Sequence, residues 1–300
     1  MNYKNNRLAF SLLELIFVIA IIGILGKFGA SFLAQAYSDF IYSKINNSLQ
    51  AQSEMAVETV AKRLQFRIKD SIIRRKSSDN SFVALGDIDN YGDEYNILEW
   101  VGSDIDGYRG DSLPLWSGVI DLDRSSATTL NSPETNTTAI NNLINSLSYD
   151  NSDINDSAIY FIGSDTDING YGWNGVALGE HNSSVMHPIK SNSNINEFES
   201  GIAGIDFSGV DIYEYYQLSW SAYAVEHNAT TKELKLYYDY QPWAGEGFKN
   251  GKSATIMEDV STFRFKAVGS IVKIQVCVKS DIIDGETKGD YSLCKEKTIF

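Results

Sequence analysis

Apolar and polar positions divide the chain into three regimes. From Phe10 to Gly26 the stretch FSLLELIFVIAIIGILG carries one charge, Glu14, and the apolar character continues past Lys27 through KFGASFLAQAY. A run of that length predicts a membrane-grade helix over residues 10–32, with Lys27 snorkelling to the interface. Beyond it, Tyr37, Phe40, Ile41, Ile45, Leu49, Ala56, Val60, Leu64, Ile68 and Ile72 recur near helical spacing. This predicts an amphipathic stalk helix over 33–76, with Arg74, Arg75 and Lys76 favourable at its C-terminal end. Asn46, Asn47 and Ser48 form a soft point within it. A continuous helix through both segments would be about 100 Å long. The break comes at SSDN, residues 77–80.

Residues 81–300 switch to short apolar runs between turn residues, which predicts a mainly antiparallel β domain. ALGDIDNYGDEYNILEWVG and GVIDLD supply short strands, and AIYFIG a buried one. SPETNTTAINNLINSL predicts a helix with Ser132 as N-cap and Pro133 in its first turn. YQLSWSAYAV and ELKLYYDYQ flank EHNATTK as an antiparallel hairpin. VSTFRFKAVGSIVKIQVCVKS reads strand, glycine turn, strand, with Val272, Ile274, Val276 and Val278 on one face. Lys273, Gln275, Cys277 and Lys279 share the other face. The fold class is therefore α+β, a long N-terminal helix packed on antiparallel sheet.

Charge changes the picture in two ways. Of 300 residues, 39 are acidic and 25 are Lys or Arg, for a net charge of −14. That balance disfavours nucleic acid and anionic lipid as partners. Lys4 and Arg7 precede the apolar run and no acid does, which puts the N-terminus on the cytoplasmic side and the bulk of the chain across the membrane. In an exported domain the two cysteines, Cys277 and Cys294, read as a disulfide, the alternative being two buried thiols. A bridge would fasten the C-terminal tail onto the outer surface of the sheet.

The remaining puzzle is Glu14. A lone carboxylate at the centre of a spanning helix costs about 2.5–3.5 kcal/mol on insertion scales. Neither a cleaved signal peptide, with AQA at 34–36 as its cleavage site, nor an uncleaved anchor explains it. The order of basic leader, Phe10, Glu14 and unbroken apolar helix resembles the type IV pilin and type II secretion pseudopilin N-terminus. The resemblance covers about the first tenth of the chain. It implies cleavage by prepilin peptidase between Ala9 and Phe10, leaving residues 1–9 as leader, and N-methylation of Phe10. It further implies that Glu14 of one subunit meets the Phe10 amine of a neighbour, each neutralising the other. Ala9 stands where the family prefers Gly, and Ser31 where many members carry Pro. The implied protein is a large minor subunit held in the bacterial inner membrane, with its 81–300 domain in the periplasm and then in the filament. Its partners would be other pilin-like subunits and the inner-membrane assembly platform. The alternative is an anchored or tip-displayed binding module, an adhesin or a receptor for secreted substrate.

Candidate chemistry adds little. His181, His187 and His227 are scattered in polar segments, and no nucleophile, zinc or phosphate-loop pattern is present, so no catalytic residue is assigned. DTDING matches the first half of a calcium loop through Asp165, Asp167 and Asn169, but Val176 holds the place of the bidentate Glu. Solvated turns are the plainer explanation of these acidic loops. Four segments fit acidic-x-Asn-x-Ser/Thr, centred on Asn136, Asn155, Asn182 and Asn228. That pattern resembles a bacterial N-glycosylation sequon.

Overall fold

The computed structural model describes residues 11–86, 94–149, 151–164, 166–284 and 287–300, with backbone alone over 280–284 and 287–291. The chain divides into two units, Met1–Ala51 and Gln52–Phe300, and the division falls within the first helix. That helix, α1, runs Leu12–Gln65. In the first unit residues 11–37 are exposed without exception. A helix apolar all round its circumference has no polar face to offer water, so it needs an apolar surround. Its length and composition make it a candidate membrane span.

In the second unit α1 behaves differently. Ala56, Val57, Val60, Ala61 and Leu64 form a buried stripe at spacings of three and four. The helix ends at Gln65, short of the expected 76. Arg67 pairs with Gly102 as an antiparallel bridge, and the Ile68 amide donates to the Val101 carbonyl at 2.9 Å. The Ser71 hydroxyl then accepts from the Val101 amide at 3.0 Å. The sequence IKDSII is rich in β-branched residues, which cost little in extended backbone. Capture by a strand edge therefore outweighs the helical periodicity. Ile68 and Ile72 are still buried, but from non-helical backbone, and Arg74 and Arg75 lie in a strand.

That strand opens a six-stranded antiparallel sheet. Its members are β1 (Ile73–Arg75), β2 (Phe82–Ala84), β3 (Ile97–Gly102), β9 (Ser221–Asn228), β10 (Glu233–Tyr238) and β11 (Lys252–Met257). Their spatial order is β11-β10-β9-β3-β1-β2. Every residue of β3 is buried, because both faces of the sheet are covered. Ile97 and Val101 join one apolar cluster with Ile73, Ala222, Ala224 and Trp173. On the opposite face Trp100 stacks on Tyr223, and the Arg63 guanidinium of α1 lies 5.4 Å from that tyrosine ring. The expected β9–β10 hairpin is present, its turn held by Asn228, whose Oδ1 accepts from the Thr230 and Thr231 amides.

A five-stranded sheet follows the order β4-β7-β6-β5-β8, with β4 (Thr129–Asn131), β5 (Ala158–Phe161), β6 (Met186–Ser191), β7 (Glu197–Ser200) and β8 (Tyr216–Ser219). AIYF is its fully buried strand. The short α2 (Ile105–Arg109) precedes it, and α3 (Thr137–Leu147) supplies Ile140 and Ile144 to its apolar cluster. The N-cap of α3 is Asn136, whose Oδ1 accepts from the Ala139 amide, not the expected Ser132. Ser132 is buried instead, with its hydroxyl 2.8 Å from the Tyr216 hydroxyl. GVIDLD forms only isolated bridges, Val119 to Tyr215 and Asp121 to Asn131.

The third sheet is β12-β13-β14, built from β12 (Val260–Val268), β13 (Ile271–Asp284) and β14 (Thr287–Ile299). Gly269 opens the β12–β13 turn at φ +61°, a left-handed conformation that glycine adopts without steric cost. The apolar alternation holds, with Val272, Ile274, Val276 and Val278 buried. Lys295 and Lys297 of β14 form ion pairs with Glu54 and Glu58 of α1. Cys277 and Cys294 face each other in register and are bonded. The tail is thus a paired strand of the sheet and not a segment laid across its outside. The bridge closes a separation of 17 residues, worth about 3 kcal/mol by the chain-entropy account.

Candidate functional site

Glu14 sits in the first turn of α1. Its amide donates to the Ser11 carbonyl at 3.1 Å and to the Ser11 Oγ at 3.3 Å. Ser11 and Glu14 therefore have the spacing of a capping box, a local use for the acid that the hydropathy pattern alone does not suggest. Among the described residues the Glu14 carboxylate enters no ion pair. Ala9 and Phe10, the expected cleavage and methylation positions, lie outside the described residues.

The calcium loop is likewise only partly described, since Asp165 lies outside. Asp167 caps a one-turn 3-10 helix, its Oδ1 accepting from the Asn169 amide at 3.0 Å and from Asn169 Nδ2 at 2.9 Å. Among the described residues no three His, Cys, Asp or Glu side chains converge as a metal site. The four sequon asparagines, Asn136, Asn155, Asn182 and Asn228, are all exposed.

The histidines are not loop residues in water. All three are buried, with His187 in β6 and His227 in β9. His181 Nδ1 and His187 Nδ1 approach to 3.4 Å, and His181 Nε2 meets the Ser200 hydroxyl at 2.8 Å. Burial pushes His181 down to about 4 and His187 down to about 3, the latter with help from His181. Rings of Phe207 and Phe161 pack against them. Both are neutral core side chains. His227 Nε2 bonds the Val260 carbonyl at 2.9 Å and so joins β9 to the start of β12.

A buried ion pair joins β1 to β3 in the six-stranded sheet. Arg75 Nε donates to Glu99 at 2.6 Å, and Tyr240 donates to the other carboxylate oxygen at 2.9 Å. The guanidinium also donates to the Trp173 and Asn80 carbonyls. Burial pushes the Glu99 carboxyl up, and Arg75 and Tyr240 oppose that. With each charge fully engaged by partners on β1, β3 and a distant loop, the group works as a structural pin. The carboxylate of Asp104, buried and bonded to the Gly107 amide and the Trp116 indole, is pushed up to about 6 for the same reason.

A cleft of about 730 Å³ opens between β12 and the ends of β1 and β9. Such a volume suits a ligand or a peptide. Six consecutive residues, Ser261–Lys266, line it. Successive strand residues point to opposite faces, so a cleft lined by all six runs along the edge of the strand. Arg74, Glu94, Asn96, Lys273 and Glu296 also line it. Phe263 and Phe265 lie 5.2 Å apart between ring centroids. In VSTFRFKAVG, Phe263 and Phe265 alternate with Arg264 and Lys266, but nothing in that run says that β12 borders open space.

Against this geometry the comparisons with known proteins are empty: no family model matches the chain, and no curated protein or solved structure matches it either.

Proposed function

We propose that the chain is a structural subunit of a type IV pilus or a type II secretion pseudopilus, a minor pilin or minor pseudopilin anchored by α1. Prepilin peptidase would remove residues 1–9, and the methylated Phe10 amine of one subunit would pair with Glu14 of another. The carrying observation is Glu14 itself, one carboxylate in a helix whose residues 11–37 are all exposed and, Lys27 apart, otherwise uncharged. Such a helix has an apolar surface to bury and one charge to neutralise, and lateral packing with copies of its own kind does both. Monomers would wait in the bacterial inner membrane with the β-rich unit in the periplasm. The test is incorporation into filaments of Glu14→Ala and Glu14→Gln variants. Both are expected to insert in the membrane and fold but to assemble poorly. Gln keeps a capping-box side chain and loses the charge, so normal assembly of Glu14→Gln would reduce Glu14 to a helix cap. A second reading, an anchored binding module, draws on the cleft along β12, where Arg264 and Lys266 are exposed.

A further inference from the structure

Among the described residues the three-stranded sheet ends on β12, whose one strand partner is β13. Every second residue of an antiparallel edge strand directs its N–H and C=O away from its neighbour. Only the first residue is tied on that side. The Val260 amide donates to the Lys232 carbonyl at 2.8 Å and the Val260 carbonyl meets His227. Among the described residues no backbone bond runs off this edge from Ser261 to Val268. An open edge of this length is a template for another strand.

The charge of that edge is opposite to that of the molecule. In a chain of net charge −14, Arg264 and Lys266 are both exposed at the cleft. Among the described residues neither enters an ion pair. Lys266 lies directly opposite Lys273 in the β12–β13 register, a juxtaposition of like charges that costs stability. Glu296 relieves only part of it, through its pair with Lys273 at 3.1 Å. An acidic strand laid along the edge would neutralise these charges, whereas a basic strand would be repelled. Phe265, half-buried beside Phe263, offers an apolar contact on the other face of the same edge.

We propose that the β12 edge is a docking site for an acidic, extended segment of a protein partner, which pairs with Ser261–Lys266 as a fourth strand of the sheet. Main-chain bonds supply the affinity, and Arg264 and Lys266 supply the selection. This inference stands apart from the filament proposal, because it uses no residue of the N-terminal helix.

The test is fluorescence anisotropy with the full-length chain in detergent micelles and a labelled alternating Asp-Val peptide. The peptide is expected to bind saturably. An Arg264→Glu/Lys266→Glu double variant should bind about tenfold more weakly, the effect of two cleft ion pairs of about 0.7 kcal/mol each. A peptide of equal charge with proline at alternate positions should not bind, since it cannot pair with the edge; this arm uses the wild-type chain and is independent of any folding defect in the variant. Failure of the Asp-Val peptide to bind would overturn the proposal. Equal affinity for the proline peptide, undiminished binding to the charge-reversed variant, or preference for an oligo-dT strand over the peptide would do the same.

Discussion

The two ends of α1 are one helix under two regimes. Residues 11–37 are exposed all round, while Ala56, Val57, Val60, Ala61 and Leu64 are buried as a stripe. The first stretch is apolar on every face and the second on one. The second finds its apolar partner within its own chain, and ion pairs from Glu54 and Glu58 to β14 flank it. The first has no such partner within the described residues. Labour is divided accordingly: the second stretch contributes to the core of the β-rich unit, and any role in membrane or assembly rests on the first.

Breaking that unit should take one side chain. Glu99→Ala leaves the Arg75 guanidinium buried without its carboxylate and is expected to cost about 3–5 kcal/mol in thermal or denaturant unfolding. A loss below about 1 kcal/mol would mean that the Arg75–Glu99 pin contributes little.

A matched pair of variants tests the contrast between the two stretches. Leu64→Ala, at a fully buried position, should destabilise the unit by about 2–5 kcal/mol. Leu25→Ala, at an exposed position on the same helix, should leave the unfolding of that unit unchanged in detergent. Equal effects would show that the two stretches share one stability.

A smaller effect lies in pH. His187 is neutral in the fold with a pKa of about 3, while in the unfolded chain it titrates near its ordinary 6.5. Protons therefore favour the unfolded state below pH 6.5, by about 1.4 kcal/mol per pH unit until the folded pKa is reached. His181 acts in the same direction. Asp104 acts against both: its folded pKa of about 6 is above the ordinary 3.8, so its contribution is present at low pH and lost as pH rises through 6. Melting temperature between pH 7 and pH 4 should fall for the wild type, fall less for His187→Phe, and fall more steeply for Asp104→Asn. Parallel curves for the three proteins would contradict the assignment.

The parts of this fold that were legible in the sequence are those written in adjacent residues. The apolar run, the β9–β10 and β12–β13 hairpins and the alternation of Val272 to Val278 all follow from local spacing. So does Cys277 opposite the returning tail, though not that the tail would be a strand in register with it. The misreadings come from distant partners. Ile68 and Ile72 keep helical spacing, yet the edge of β3 takes that segment out of the helix. His181 sits among polar neighbours in sequence, yet the fold packs the Phe207 ring against it; His187 is instead a local misreading, since Val185, Met186 and Ile189 around it already mark a buried strand. The cleft along β12 depends on which strands fail to pair, and no run of residues records that. Glu14 is the opposite case, a residue whose neighbours in sequence pose the question and whose answer, under the filament proposal, lies in another molecule.

The measurement that bears most directly on the filament proposal is the intact mass and N-terminal sequence of the chain purified from its native membranes. The expected result is a mature chain that begins at Phe10 and carries one methyl group on its amine. A chain that begins at Met1, or at Tyr37 after cleavage of a signal peptide, would contradict the proposal.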